Sequence, residues 1–127
     1  MNWYRPLLKK QQKYGAKRTK HAGYSFASKI EAQHFAELQL LQRTGEVKDI
    51  QCQAQVVLSE AAIIYKPDFK VTYADGRIEY HEVKGFETPE WRIKRRLWIA
   101  YGPGILKVFK GQGGRIYLHE ELRGKSG

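Results

Sequence analysis

Three acidic residues and one lysine in this 127-residue chain have types and spacing that suit chemistry. Asp68 lies in Lys66-Pro67-Asp68-Phe69, Glu82 and Lys84 lie in His81-Glu82-Val83-Lys84-Gly85, and Glu31 stands near the start of an amphipathic segment. Two carboxylates held side by side repel unless a cation sits between them. A small set of oxygen ligands with positions left for water suits Mg²⁺ or Mn²⁺. A lysine two residues beyond Glu82 on a strand points the same way as Glu82. There it can orient or help deprotonate an attacking water, or offset negative charge developing on phosphorus. Such a set in basic surroundings is equipment for hydrolysing phosphodiesters.

Whether the set exists depends on strand register. The runs at 63–73 and 78–84 read as strands, and Tyr73-Ala74-Asp75-Gly76-Arg77 between them is a hairpin signal. A three-residue loop of Ala74, Asp75 and Gly76 places Asp68 directly opposite Glu82, with Gly76 as the left-handed last residue of the loop. A two-residue Asp-Gly turn would slip the pairing by one and send the carboxylates to opposite faces. The turn sequence permits the productive register.

The elements around the hairpin follow from caps and periodicity. Ser28-Lys29-Ile30-Glu31 is a capping box and Gly45 a stop, which predicts a helix over 29–43. At about 100° per residue, Ile30, His34, Phe35, Leu38 and Leu41 fall on one arc. Glu31 falls inside that arc, an unexpected place for a carboxylate unless it serves the sheet below. The run at 47–58 alternates Ile50, Cys52, Ala54 and Val56 with Gln51, Gln53 and Gln55, so it reads as a strand with one buried face. Thr88-Pro89-Glu90 opens a second helix that runs to about residue 101 and stops at Gly102-Pro103-Gly104. Ile93, Leu97, Ala100 and Tyr101 form its expected apolar arc, with Arg92, Arg95 and Arg96 on the solvent side and Lys94 beside Trp98 at the arc's edge. Trp91 and Trp98 read as packing residues. Strands at 105–109 and 115–119 complete an α-β-β-β-α-β-β order, an α/β (α+β) domain with a mixed central sheet flanked by helices.

Composition bounds the class. Lys and Arg number 23 against 13 Asp and Glu, a formal net charge of +10, which points to an anionic partner such as nucleic acid. Hydrophobic residues at 42% exclude a wholly disordered basic chain. No apolar run approaches the roughly 18 residues a membrane span needs. Residues 1–8 carry no hydrophobic signal core, so secretion is not expected and a cytoplasmic location is. The single cysteine, Cys52, excludes an internal disulfide and a Cys-based zinc cluster, and it reads as core. His21, His34, His81 and His119 lack metal-ligand spacing; His81 alternates away from Glu82 and should face the other side of the sheet. Residues 1–23 read as a flexible basic arm, 24–120 as the folded domain and 121–127 as a disordered tail. Lys17, Arg18, Lys20, Arg92, Arg95 and Arg96 are the expected DNA-phosphate contacts.

Asp68, Glu82-Val83-Lys84 and the upstream Glu31 together resemble the signature of the PD-(D/E)XK nuclease superfamily, with Pro67 in place before the Asp. The likeness extends through Gly23-Tyr24-Ser25-Phe26-Ala27-Ser28-Lys29-Ile30-Glu31, Gln53, Tyr65-Lys66-Pro67-Asp68-Phe69, Glu82-Val83-Lys84-Gly85, Thr88 and Lys94. Over residues 13–110 it looks like a small phage-associated branch of uncharacterised endonucleases, departing at Ala27, where that branch often has Asp. In size and carboxylate spacing it is similar to archaeal-type Holliday junction resolvases. The resemblance implies a restriction-endonuclease-like αβββαβ core. It implies Mg²⁺ (or Mn²⁺) on Asp68, Glu82 and the Val83 carbonyl, Glu31 serving the metal from the helix, Lys84 as the catalytic lysine, and auxiliary phosphate or water contacts from Gln53 and Lys94. The expectation is a Mg²⁺-dependent, structure-selective DNA endonuclease of phage DNA metabolism, working in the bacterial host cell. Branched DNA such as a Holliday junction is the leading substrate, and a homodimer would supply two active sites. The alternative is a non-catalytic nucleic-acid-binding module of the same fold.

Overall fold

Among the described residues, two helices begin where a side chain caps their first free amides. The computed structural model describes residues 19–21, 24–26 and 28–125. Helix α1 spans Lys29–Arg43, and the Ser28 hydroxyl accepts the Glu31 N–H at 3.1 Å. Helix α2 spans Pro89–Tyr101, and the Thr88 hydroxyl accepts the Trp91 N–H at 3.1 Å. Each cap stabilises its helix by about 1 kcal/mol.

Among the described residues the strands are β1 (Thr19–His21), β2 (Tyr24–Phe26), β3 (Val47–Cys52), β4 (Val56–Val57), β5 (Ile64–Tyr65), β6 (Phe69–Tyr73), β7 (Ile78–Lys84), β8 (Ile105–Gln112) and β9 (Arg115–Arg123). A five-stranded central sheet has the order β3-β6-β7-β8-β9. Only β7 and β8 pair in parallel within it, and α2 is the crossover between them. The domain is therefore α+β with a mixed sheet, compatible with an αβββαβ core. Among the described residues no helix is long and apolar enough to cross a membrane.

The two sheet faces bury different partners. Phe69, Val71 and Val83 pack under α1 with Ala32, Phe35 and Leu38. On the other face Tyr80, Leu106, Val108 and Leu122 pack against Trp91 and Trp98 of α2 and against Val56, Leu58 and Tyr65. Full burial of each large side chain is worth roughly 1.5–3 kcal/mol. The second face is thus covered by α2 and a separate β4–β5 ribbon together.

The β6–β7 hairpin has the three-residue register. Phe69 pairs with His81, Lys70 with Tyr80, Val71 with Glu79 and Thr72 with Ile78. The Tyr73 N–H donates to the Arg77 carbonyl at 2.8 Å, closing a loop of Ala74, Asp75 and Gly76. Gly76 sits at φ +93°, a left-handed conformation that a Cβ would strain.

Four expectations need correction. The run at 47–58 is not one strand: the chain leaves the sheet after Cys52, Gln53 adopts φ +57°, and β4 pairs with β5. The run at 63–73 is likewise split into β5 and β6, because Pro67 has no N–H to extend the ladder. Residues 121–127 are not wholly a tail: β9 runs to Arg123, and Leu122 is buried at 4% exposure. The arm of residues 1–23 reaches into the fold at Thr19–His21, which pairs with β2, while residues 1–18 lie outside the described residues.

The buried side of α2 also differs. It is built on Trp91 and Trp98 with Leu97 partly covered, whereas Ile93 and Tyr101 are 59% and 51% exposed and Ala100 is exposed. Two indoles bury more area than the smaller residues of the rival arc. Trp98 donates its indole N–H to the Gly104 carbonyl at 2.9 Å, and its ring passes so close to Gly102 that a side chain there would collide.

Candidate active site

Continuing the hairpin pairing one step past Phe69 and His81 sets Asp68 opposite Glu82. The Tyr73–Arg77 bond makes that pair a hydrogen-bonded one, so by alternation Asp68 and Glu82 fall at a non-hydrogen-bonded position. Facing side chains stand closer at such positions. Both residues are buried, at 8% and 6% exposure. A further step would face Val83 with Pro67, which has no N–H to offer the Val83 carbonyl; the Val83 N–H donates to Asp68 Oδ2 at 2.8 Å. Gln53 completes the grip on Asp68. Its backbone N–H donates to the Asp68 carbonyl at 3.0 Å and its Nε2 to Oδ1 at 3.4 Å. The left-handed backbone that allows this costs about 1–2 kcal/mol at a non-glycine residue.

Glu82 is held at both oxygens. Oε1 accepts the Tyr65 phenol at 2.5 Å, and Oε2 lies 3.3 Å from Lys84 Nζ. The Lys84 ammonium also stands 4.9 Å from the centroid of the Trp91 ring, which it overlies. Glu31, on the first turn of α1, is buried. Its charge reaches the same corner: burial first, then Glu82, then Glu31 push the Asp68 carboxyl well above its ordinary range, against the Val83 N–H and Lys84. Burial and then Glu31 and Asp68 push the Cys52 thiol up to about 11. The structure thus brings Gln53 into contact with Asp68 and Lys84 into contact with Glu82, sets Asp68 and Glu82 at facing positions, and leaves Glu31 near enough to be felt by Asp68.

A family model described as "Protein of unknown function (DUF1064)" matches residues 11–105. The chain belongs to the DUF1064 family. The match takes in Glu31, Gln53, Asp68, Glu82 and Lys84, and ends at the first residue of β8. Comparison with curated proteins and with solved structures gives no match.

The DUF1064 site has the chemistry of a hard-cation site. Asp68, Glu82, Glu31 and the Val83 carbonyl offer oxygen alone, and a dication would offset the burial and the neighbouring carboxylates that raise Asp68. These residues fit Mg²⁺ or Mn²⁺. Among the described residues no group of three or more His, Cys, Asp or Glu side chains stands placed to hold a metal ion.

Other residues singled out in the sequence fall elsewhere. Lys94 Nζ donates to the Ile64 carbonyl at 2.9 Å, so it tethers β5 to α2; burial lowers its pKa, opposed by Glu90. Arg95 does not lie free on the solvent side of α2: it is half-buried and paired through two nitrogens with the Glu120 carboxylate of β9. Arg92, 3.9 Å from Glu87, and Arg96 are exposed. Lys17 and Arg18 lie outside the described residues, and Lys20 pairs with Ser25 through β1 and β2.

His81 does face away from Glu82. Its Nε2 lies 3.1 Å from Glu79 Oε1, and its Nδ1 lies 2.9 Å from His34 Nε2 on α1. A carboxylate only accepts, so His81 donates from Nε2, accepts at Nδ1 from His34, and leaves His34 Nδ1 buried without a partner. Tyr65 is the site residue that sequence reasoning missed. It stands in the Tyr65-Lys66-Pro67-Asp68-Phe69 motif, but its reach to Glu82 depends on the β4–β5 ribbon, which periodicity does not reveal.

Proposed function

We propose that this DUF1064 protein is a divalent-metal-dependent DNA endonuclease of the PD-(D/E)XK type. One observation carries the reading: Asp68 and Glu82 are buried neighbours on adjacent strands, with Lys84 on the outer oxygen of Glu82 and Glu31 acting on Asp68. A buried carboxylate pair is destabilising by itself and is retained where it has work to do. The sequence resemblance supports the same assignment. Mg²⁺ or Mn²⁺ held by Asp68, Glu82, Glu31 and the Val83 carbonyl would supply Lewis acidity toward the scissile phosphate. Lys84 would orient the attacking water and offset charge on the phosphoryl oxygens. Gln53 and the Val83 N–H would keep Asp68 in place.

The net charge of +10 supports a nucleic-acid substrate. Arg92 and Arg96, with Lys17, Arg18 and Lys20, would contact backbone phosphates. Selection by DNA structure fits a core with no added base-reading element among the described residues. Branched DNA, including Holliday junctions, is the proposed substrate, cut by a homodimer with two sites in the DNA metabolism of a phage and its host cell.

The test is a cleavage panel of branched, flapped, single-stranded and duplex DNA with and without Mg²⁺. The proposal expects Mg²⁺-dependent nicking that Asp68→Ala and Lys84→Ala abolish while binding survives. Binding without cleavage on every substrate would leave a nucleic-acid-binding module in its place.

A further inference from the structure

The two oxygens of Glu82 are held unequally, and the difference lies in a residue outside the acidic set. The Tyr65 phenol meets Oε1 at 2.5 Å, within the range of hydrogen bonds from a hydroxyl to a charged oxygen. Lys84 meets Oε2 at 3.3 Å, longer than a well-formed ammonium–carboxylate contact. One oxygen is fixed and the other is loosely covered. We infer that Tyr65 is a positioning residue that clamps Glu82 Oε1 and so presents Oε2 to the cation. The inference rests on the metal-site reading above.

Tyr65 is itself rigidly placed. Its ring is buried, 6.2 Å from Trp91 and 6.0 Å edge-on from Trp98, centroid to centroid. Its strand is two residues long and, among the described residues, pairs only with β4, a poor platform alone. α2 makes up the deficit: both indoles flank the ring, and Lys94 Nζ ties the Ile64 carbonyl at 2.9 Å. The presence of Lys94 in the motif pattern thereby gains a mechanical role. It acts on Glu82 through β5 and Tyr65. Groups that orient a metal ligand in this way change metal affinity or activity by about 10–100-fold when removed.

The experiment is calorimetric titration of Mn²⁺ into the full chain without DNA, for the wild type, Tyr65→Phe, Lys94→Met and Asp68→Ala. Tyr65→Phe keeps the packed ring and should bind Mn²⁺ about 10–100-fold more weakly, with nicking largely restored at saturating Mn²⁺. Lys94→Met should show a smaller loss in the same direction. A merely structural role would lower the melting temperature and leave Mn²⁺ affinity unchanged, and that result overturns the inference while leaving the metal site standing. If Tyr65→Phe does not fold, unchanged affinity in Lys94→Met overturns it. A wild type that takes up no more Mn²⁺ than Asp68→Ala overturns both the inference and the metal-site reading beneath it.

Discussion

Asp68 Oδ2 accepts the backbone N–H of Val83 at 2.8 Å, across the end of the hairpin. The carboxylate of one strand is thereby fixed to the backbone of the strand that carries Glu82 and Lys84. Pro67, one residue before Asp68, has no N–H to give to that strand, so the ladder does not extend past Asp68 and the Asp68 side chain makes the cross-strand bond there. The site is thus a product of register, and register is set by the loop at Ala74, Asp75 and Gly76.

That dependence predicts a cost at the loop. Gly76→Val forces a β-branched residue to φ +93° and should destabilise the fold by about 1–2 kcal/mol. Urea midpoints of the two proteins measure it; an unchanged midpoint would mean that the loop does not hold the register.

Asp68 should weaken the metal-free fold at neutral pH. Its folded pKa is raised above the ordinary 3.8, so over that interval the native state binds more protons than the unfolded chain. Stability is full below about pH 3.8 and falls as pH rises through the raised value. Asp68→Asn removes this loss and should stabilise the metal-free protein at pH 7 by about 1 kcal/mol while abolishing cleavage. Mg²⁺ should raise the melting temperature of the wild type and not of the variant. Scanning calorimetry with and without Mg²⁺ decides it, and a lower melting temperature for Asp68→Asn at pH 7 would contradict the account.

The histidine pair acts in the opposite direction. Burial and then His81 hold His34 down at about 3 against an ordinary 6.5. His81 is also lowered, by burial, against the pull of Glu79. Burial raises Glu79, but hydrogen bonds from His81, Lys107 and Tyr73 outweigh it and keep that carboxylate at about 2. Between pH 6.5 and 3 the unfolded chain therefore binds the proton that native His34 refuses. Stability contributed by neutral His34 is present above pH 6.5 and is lost on acidification, at up to about 1.4 kcal/mol per pH unit for one proton. Urea unfolding at several pH values should show this slope, and His34→Gln should flatten it.

The arginines of α2 should separate by role. Arg92→Ala and Arg96→Ala should each lower the dependence of log affinity for DNA on log salt by roughly one. Arg95→Ala should leave that slope alone and lower stability by about 0.2–1 kcal/mol, because its partner is Glu120. Fluorescence anisotropy across a salt series distinguishes them; equal effects from all three would contradict the ion pair's structural role.

Much of the frame was legible because its signals are local. Ser28 and Thr88 cap within one turn, and residues 73–77 marked the hairpin and permitted its three-residue register, which the Tyr73–Arg77 bond decides. Glu31 stood out because a carboxylate in an apolar arc has to be explained. What could not be read depends on contacts far along the chain. No glycine or proline marks the break at Gln53, whose left-handed turn is held by Asp68. Counting apolar positions on α2 favoured Ile93 and Tyr101, whereas two indoles with a ready acceptor at Gly104 decided its orientation. Tyr65 and the His34–His81 contact join segments that periodicity treats separately.

The most direct test is single-turnover nicking of a branched DNA in Mg²⁺ by the wild type and by Asp68→Ala, Glu82→Ala, Lys84→Ala and Glu31→Ala, with DNA affinity measured alongside. The account predicts cleavage by the wild type, a loss of about 100-fold or more in each variant, and near-constant binding. A wild type that binds but never cuts, or variants that cut at the wild-type rate, would contradict it.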